Sequence, residues 1–174
     1  ITSAISAPAY AGIPLTHRLY ASTVAFITGH EDNTKEKSAI KWDEIAKGPD
    51  TLVFLMGIKN IKKIKDNLIK GGRNPQTPAC IIQWGTLPQQ KVVTGQLSDI
   101  DLIAKLNKIK PPAIIIVGDV IKMRDRLKWF EKRPLFGKKV AITRPLHQSK
   151  RLSNLLSEKG ANIIYLPTIE IMPI

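Results

Sequence analysis

The run Gly12-Ile13-Pro14-Leu15-Thr16-His17-Arg18 joins a rigid turn to a histidine and an arginine. Proline fixes φ and glycine opens φ values closed to other residues, so the polar side chains that follow sit on a defined loop. An arginine held in that way is a good bidentate partner for a carboxylate. Arg18 is therefore the leading candidate to bind an acidic substrate, with a structural ion pair as the alternative. His17 can orient the loop by hydrogen bonds or shuttle a proton, and the structural role is preferred. His30 followed by Glu31 has the composition of an acid/base or metal pair. The histidines at 17, 30 and 147 are far apart, however, and no Cys or carboxylate stands at ligand spacing, so no metal site is expected. Asp43 and Glu44 follow Trp42 in what reads as the first turn of a helix, where acids favour the dipole, and no catalysis is assigned to them.

These residues need a scaffold, and the chain alternates between two periods. Ser22 to Thr28, Thr51 to Met56, Ala79 to Trp84 and Ala113 to Val117 are short, β-branched, mostly apolar runs bounded by Gly or Pro. They predict strands buried on both faces of a sheet. Between them Ile61, Ile64 and Leu68 mark a helix, with Asn60 placed to cap its start and Gly71-Gly72 to end it. A second helix, opened by Ser98 with Asp101 three residues on, carries Ile100, Ile103, Ala104 and Leu106 before Pro111-Pro112. Lys91 to Thr94 predicts a hairpin strand in a mixed sheet. The fold class is α/β.

At 174 residues and 43% hydrophobic, the chain can bury one core, or one domain and a piece of another. Its single cysteine, Cys80, lies in the apolar run Ala79-Cys80-Ile81-Ile82 and reads as a small buried hydrophobe. No internal disulfide can form, and a reduced, cytoplasmic setting is expected. No apolar stretch approaches the roughly 18 residues that span a bilayer, and the start lacks the basic region of a signal peptide, so no membrane partner is expected. The opening Ile-Thr-Ser-Ala has no methionine and resembles a domain interior, which leads us to expect a fragment. The 27 Lys and Arg against 14 Asp and Glu give a net charge of +13, which favours polyanions. The lysines are scattered along helices, as in Ile61-Lys62-Lys63-Ile64-Lys65, without a basic tail or an aromatic-interleaved stripe. Solvated helix faces account for them, and no nucleic-acid partner is expected.

The ordered series Pro14-Leu15-Thr16-His17-Arg18, Phe26-Ile27-Thr28-Gly29-His30-Glu31, Thr51 to Gly57, Trp84-Gly85-Thr86, Val93-Thr94-Gly95, Pro111 to Gly118 and Trp129-Phe130-Glu131 resembles the carboxy-terminal half of the tetrapyrrole methylase family, over roughly residues 1 to 131. Within that family it is similar to the members that C-methylate uroporphyrinogen III. After a linker at 132–136, the series Gly137-Lys138-Lys139-Val140-Ala141-Ile142-Thr143-Arg144-Pro145, Lys159-Gly160-Ala161 and Leu166-Pro167-Thr168-Ile169-Glu170-Ile171 resembles the start of the uroporphyrinogen-III synthase family. Leu152, Leu155 and Leu156 lie on one side of its helix, which ends at Gly160. The expected boundaries are 1–20 for the end of an amino-terminal methylase domain, 21–131 for the carboxy-terminal methylase domain, 132–136 for the linker and 137–174 for a partial βαβ unit.

The resemblance implies an S-adenosylmethionine cofactor folded against backbone and small or apolar side chains. It implies Thr2 and Ser3 at a cofactor position, Met56 packed on the adenosyl portion and Gly85 allowing close backbone approach, with Ala113 a weaker candidate. Read without it, Met56 is core filler, Gly85 a turn, and Thr2 and Ser3 caps of the helix that follows. It further implies two methylations of uroporphyrinogen III, giving precorrin-2 for sirohaem and cobalamin, and a homodimer at full length. A positive cleft would suit so acidic a macrocycle. The family's glycine-rich opening and proton-handling groups belong to its first half and do not occur here, so no catalytic residue is assigned and the isolated chain is expected to be inactive. A sister enzyme acting on a later precorrin or on ribosomal RNA, a nucleic-acid-binding module and a dimerising domain stand as alternatives.

Overall fold

In the computed structural model of the protein, residues 1–30 and 39–169 are described; Glu31, and Glu170 with Ile171, lie outside them. Five strands form one mixed sheet: β1 (Val24–Thr28), β2 (Thr51–Leu55), β3 (Pro78–Gln83), β4 (Lys91–Gln96) and β5 (Ala113–Val117), in the order β1-β2-β5-β3-β4. β1 and β2 are parallel, whereas β5 is inserted antiparallel between β2 and β3, and β3 and β4 form the expected hairpin. β1, β2 and β3 therefore all end at the same edge, where β5 begins.

Alternation along the strands makes two cores. Ile27, Phe54, Ile115 and Ile81 stand in register across four strands and face one layer of helices: α2 (Trp42–Lys47), α3 (Ile61–Lys70) and α4 (Ile100–Leu106). Val53, Ile116, Cys80 and Ile82 point to the other face, covered by α1 (Ser3–Tyr10) and the 3-10 turn Asp119–Met123. A period of two with both faces covered requires a continuous apolar run, which is why Thr51 to Leu55 and Ala113 to Val117 contain so few polar residues. β1 departs from the expectation of burial on both faces. It is an edge strand, and Phe26 is 47% exposed. Residues of the 1–20 segment, including Ala4, Ala7, Ala11 and Ile13, are buried in this second core.

Two helix starts differ from expectation. Asn60 stands before α3, but its side chain makes no capping bond and instead donates from Nδ2 to the Gly29 carbonyl at 2.9 Å. Asp99, not Ser98, precedes α4, and Asp101 pairs with Lys65 Nζ at 2.9 Å, tying α4 to α3. In both cases a tertiary partner captures a side chain that could have capped locally. The end of α3 follows expectation, with Gly71 and then Gly72 at φ +102°.

The remaining chain forms a separate two-stranded parallel sheet from β6 (Lys139–Ile142) and β7 (Asn162–Tyr165), joined through α6 (Leu146–Glu158). Leu152 and Leu155 are 43% and 49% exposed, while Ser149 and Ser153 are the buried residues of α6. Leu152 and Leu155 thus face solvent, while the half-buried Leu156 shares the inner side with Ser149 and Ser153, so the three leucines do not form one packed stripe. Phe136 stacks edge-on against Phe130, and Arg133 lies over the rings of Trp129 and Phe130, so the 132–136 segment is packed at this junction.

Candidate functional site

The common edge where β1, β2 and β3 end opens into a cleft of about 780 Å³. Such a crevice outside the carboxyl ends of strands is where open α/β sheets characteristically bind ligands, and its size is that of a small-molecule site. One wall is the first turn of α1, with Ser3, Ser6 and Ala7. A second is the end of β2, with Leu55 and Met56, followed by Ile58 and Lys59. The third is Trp84, Gly85, Thr86 and Leu87 after β3, faced by Pro111, Pro112 and Ala113 at the entry to β5. His30, Ile1, Ile82 and Ile114 complete the lining. Among the described residues no Asp or Glu lines the cleft, and His30 and Lys59 are its titratable side chains.

Backbone strain concentrates here. Met56, Trp84 and Thr86 have φ of +54°, +53° and +73°, and all three line the cleft. The left-handed region costs a residue with a Cβ about 1–2 kcal/mol, and such strain persists only where surrounding contacts enforce it. The turn at Met56 carries its side chain out of the sheet, leaving it 63% exposed to the cleft, so it is not core filler. Gly85 has a different reason to be glycine: a Cβ there would collide with the Ala7 methyl and approach Ile82 Cγ2 to 3.3 Å. The close approach that Gly85 permits is therefore that of α1 to the loop after β3, which closes one corner of the cleft.

Ser3, Met56, Gly85 and Ala113 thus share one hollow. Thr2 does not line it. Its Oγ1 accepts from the Ala4 N–H at 3.3 Å, and its carbonyl accepts from Ile5 and Ser6, so Thr2 caps α1 and aims the wall carrying Ser3. Arg18 is exposed, is absent from the cleft lining and forms no ion pair among the described residues. His17 braces the turn: its backbone N–H donates to Ala21, its carbonyl accepts from Tyr20 and Ala21, and Nδ1 accepts from the Leu19 N–H at 3.3 Å. Asn60 Nδ2 stands 3.5 Å from His30 Nδ1. Among the described residues no three His, Cys, Asp or Glu groups gather as a metal would need, and no helix is long and apolar enough to cross a membrane. Cys80 is fully buried, and burial pushes its thiol up to about 12, so no thiolate is available there.

Trp84, Thr86, Leu87 and Ser6 were not identified from the sequence. The available signal was Trp-Gly-Thr standing between two strands, a place where a tight turn presents its neighbours. A buried relay behind that turn was equally hidden. Gln90, 5% exposed, accepts at Oε1 from the Thr86 N–H at 2.9 Å and donates from Nε2 to Glu131 at 3.0 Å. Glu131 in turn pairs with Arg124 at 2.7 Å, and Arg124 donates to the Ala11 carbonyl at 3.3 Å.

Comparison with known proteins points in one direction. A model of the tetrapyrrole (corrin/porphyrin) methylases matches residues 1–101. The chain is 40% identical over 167 residues to uroporphyrinogen-III C-methyltransferase of Bacillus subtilis, covering 96% of this chain and 34% of that protein. It is 50% identical over 127 residues to the S-adenosyl-L-methionine-dependent uroporphyrinogen III methyltransferase of Methanosarcina barkeri, covering 73% of this chain and 50% of that one. It therefore spans a third to a half of the length of these relatives. A solved uroporphyrin-III C-methyltransferase from Thermus thermophilus, complexed with S-adenosyl homocysteine, superposes with a TM-score of 0.57 at 27% identity, over 70% of this chain and 51% of that one. The cobalt precorrin-4 methyltransferase fold gives 0.62 at 26% identity, over 70% of this chain and 50% of that one. With the family model matching more than half of its residues, and a cleft at the shared edge of its strands, the chain belongs to the tetrapyrrole methylases.

Proposed function

We propose that this chain is the carboxy-terminal part of an S-adenosylmethionine-dependent methyltransferase that converts uroporphyrinogen III to precorrin-2 on the way to sirohaem and cobalamin. The observation that carries the reading is the convergence of Ser3, Met56, Gly85 and Ala113 on one strained, mostly apolar cleft. The lining suits the cofactor: apolar and thioether surface for the adenine, and serine hydroxyls on the first turn of α1 for its polar groups. Bound S-adenosylmethionine supplies an activated methyl group that a pyrrolic carbon can attack. The protein's task is to fix that methyl in line and to exclude water. Met56 packs on the adenosyl portion, Thr2 holds α1 so that Ser3 faces the cleft, and Gly85 lets α1 approach the Trp84–Thr86 turn.

Arg18 lies off this cleft, and its proposed role is to hold a carboxylate of the substrate from the surface loop that His17 braces. The partly exposed β1 edge is open to assembly with an amino-terminal half or a second copy, and the working enzyme is proposed as a homodimer in the cytoplasm. The β6-α6-β7 unit is proposed as the start of a fused uroporphyrinogen-III synthase, with 132–136 as the linker and 137–174 as the synthase-like division; residues 1–20, buried in the core of the 21–131 sheet, join that domain in one unit. Two observations support the fusion: identity to the porphyrin biosynthesis protein HemD of Ruminiclostridium josui runs over all 174 residues at 38%, covering 34% of that protein, and the unit folds as a parallel βαβ.

The test uses the polypeptide with an amino-terminal methylase half joined ahead of Ile1. Incubated with uroporphyrinogen III and isotopically labelled S-adenosylmethionine, it should transfer two methyl groups to ring carbons. Failure to bind S-adenosylhomocysteine calorimetrically, together with no label in the tetrapyrrole, would sink the proposal.

A further inference from the structure

The Trp84–Thr86 turn is the most strained part of the cleft, and its conformation must be enforced from behind. Thr86, at φ +73°, has its N–H held by Gln90 Oε1 at 2.9 Å. Gln90 is almost fully buried and its other end is occupied: Nε2 donates to Glu131 Oε1 at 3.0 Å and reaches the Tyr10 carbonyl at 3.4 Å. Both acceptors lie on other segments, Tyr10 at the end of α1 and Glu131 after the short helix Arg124–Leu127. Glu131 is fixed in turn by Arg124 at 2.7 Å, their side chains 20% and 13% exposed, and Arg124 also donates to the Ala11 carbonyl. An amide cannot rotate within this arrangement without losing its partners, so its oxygen stays aimed at Thr86. The chain Arg124–Glu131–Gln90 thus connects the end of the helix that carries Ser3 to the turn that carries Gly85, two walls of the same cleft.

From this geometry we infer that Gln90 and Glu131 are positioning residues for the cofactor site, acting through the Thr86 backbone without touching the ligand. The inference rests on the reading of the cleft as an S-adenosylmethionine site. It also gives the Trp129-Phe130-Glu131 motif a function: Tyr10 packs against Trp129 and Phe130 with ring centroids 5.2 and 4.8 Å away, which places Glu131 under the turn.

The experiment uses the polypeptide carrying both methylase halves, with S-adenosylhomocysteine as the probe. The parent protein is titrated first, and if it does not bind, the cofactor reading itself fails. Gln90→Glu removes the amide donor and sets two carboxylates against each other, while Gln90→Glu with Glu131→Gln reverses the polarity of the bond and keeps an acceptor on Thr86. The single variant should weaken binding about tenfold and raise KM for S-adenosylmethionine by a similar factor, with kcat at saturation within about twofold. The double variant should recover most of that loss. Asp101→Asn, on the opposite side of the sheet, serves as the comparison, lowering Tm with no change in affinity. Unchanged affinity in Gln90→Glu would overturn the inference. So would a double variant as weak as the single, or a fall in kcat without a change in KM.

Discussion

Met56 illustrates how a single residue can be read in two opposite ways. In the sequence it follows four apolar residues and could continue the core, yet φ +54° turns it out of the sheet into the cleft. Replacement by glycine should relieve about 1–2 kcal/mol of left-handed strain against a roughly 0.5–1 kcal/mol entropic cost, so Met56→Gly should melt no lower than the parent. The same variant should bind S-adenosylhomocysteine about tenfold more weakly, since it loses a thioether side chain from the pocket. Thermal unfolding and calorimetry on one preparation test both halves, and a variant that melts lower and binds normally would contradict the reading. Gly85→Ala should behave differently. Its new methyl meets Ala7, so overpacking of about 1–3 kcal/mol is expected, with affinity falling alongside Tm. Thr2 and Arg18 show the limit of reading residues one at a time. Both are polar and suitably typed, but Thr2 is used as a helix cap and Arg18 points to solvent, and nothing in residue type distinguishes these uses from cleft contacts.

At the scale of elements, the sheet depends on rows of side chains that cross it. Phe54 lies fully buried in the row from Ile27 to Ile81 and stacks on Trp42 with centroids 6.2 Å apart, so Phe54→Ala should cost about 3–5 kcal/mol in denaturant unfolding. The α3–α4 contact depends on charge. Burial pushes the Asp101 carboxyl up, but the hydrogen bond and charge of Lys65 more than offset it and hold it below its ordinary 3.8. The bond to Asp101 raises Lys65 above 10.5. A lowered acid stabilises the fold above its unfolded value and loses that contribution as the pH falls through its folded one; a raised lysine does so below 10.5 and loses it as the pH rises further. Asp101→Asn should therefore lower Tm between these limits, by about 0.5–1 kcal/mol equivalent, with the gap to the parent closing as the pH falls below 3.8 or climbs beyond 10.5. A gap that persists in strong acid would show that the ion pair is not its source. The strands were legible in the sequence to within two residues, because continuous β-branched runs between Gly and Pro have few other uses. The helix starts were less so, since Asn60 and Asp101 could be satisfied locally or across the molecule, and both are satisfied across it.

For the whole molecule, two parts differ in how well they are buried. The central strands β2, β3 and β5 are covered on both faces, whereas β6-α6-β7 and the residue after it leave Leu152, Leu155, Ile164 and Leu166 more than two-fifths exposed. Local opening should follow that difference, so amide exchange should be markedly faster in β6 and β7 than in β2, β3 and β5, as mass spectrometry of the exchanged chain would show. Equal protection in both sheets would overturn this expectation. The α/β class, the strands, the hairpin and the membership of a methylase-like series were readable from the residues alone, because apolar periodicity and turn residues act over a few positions and leave a local signature. The antiparallel insertion of β5 between β2 and β3, which brings three strand ends and the first turn of α1 to one edge, arises in the folded chain and not in any segment. The same holds for Gln90 and Glu131, 41 residues apart, which join behind that edge. Those relations depend on segments distant in the chain sharing one volume, and the free energy that selects them is packing and hydrogen bonding between the segments, which no stretch of either carries alone.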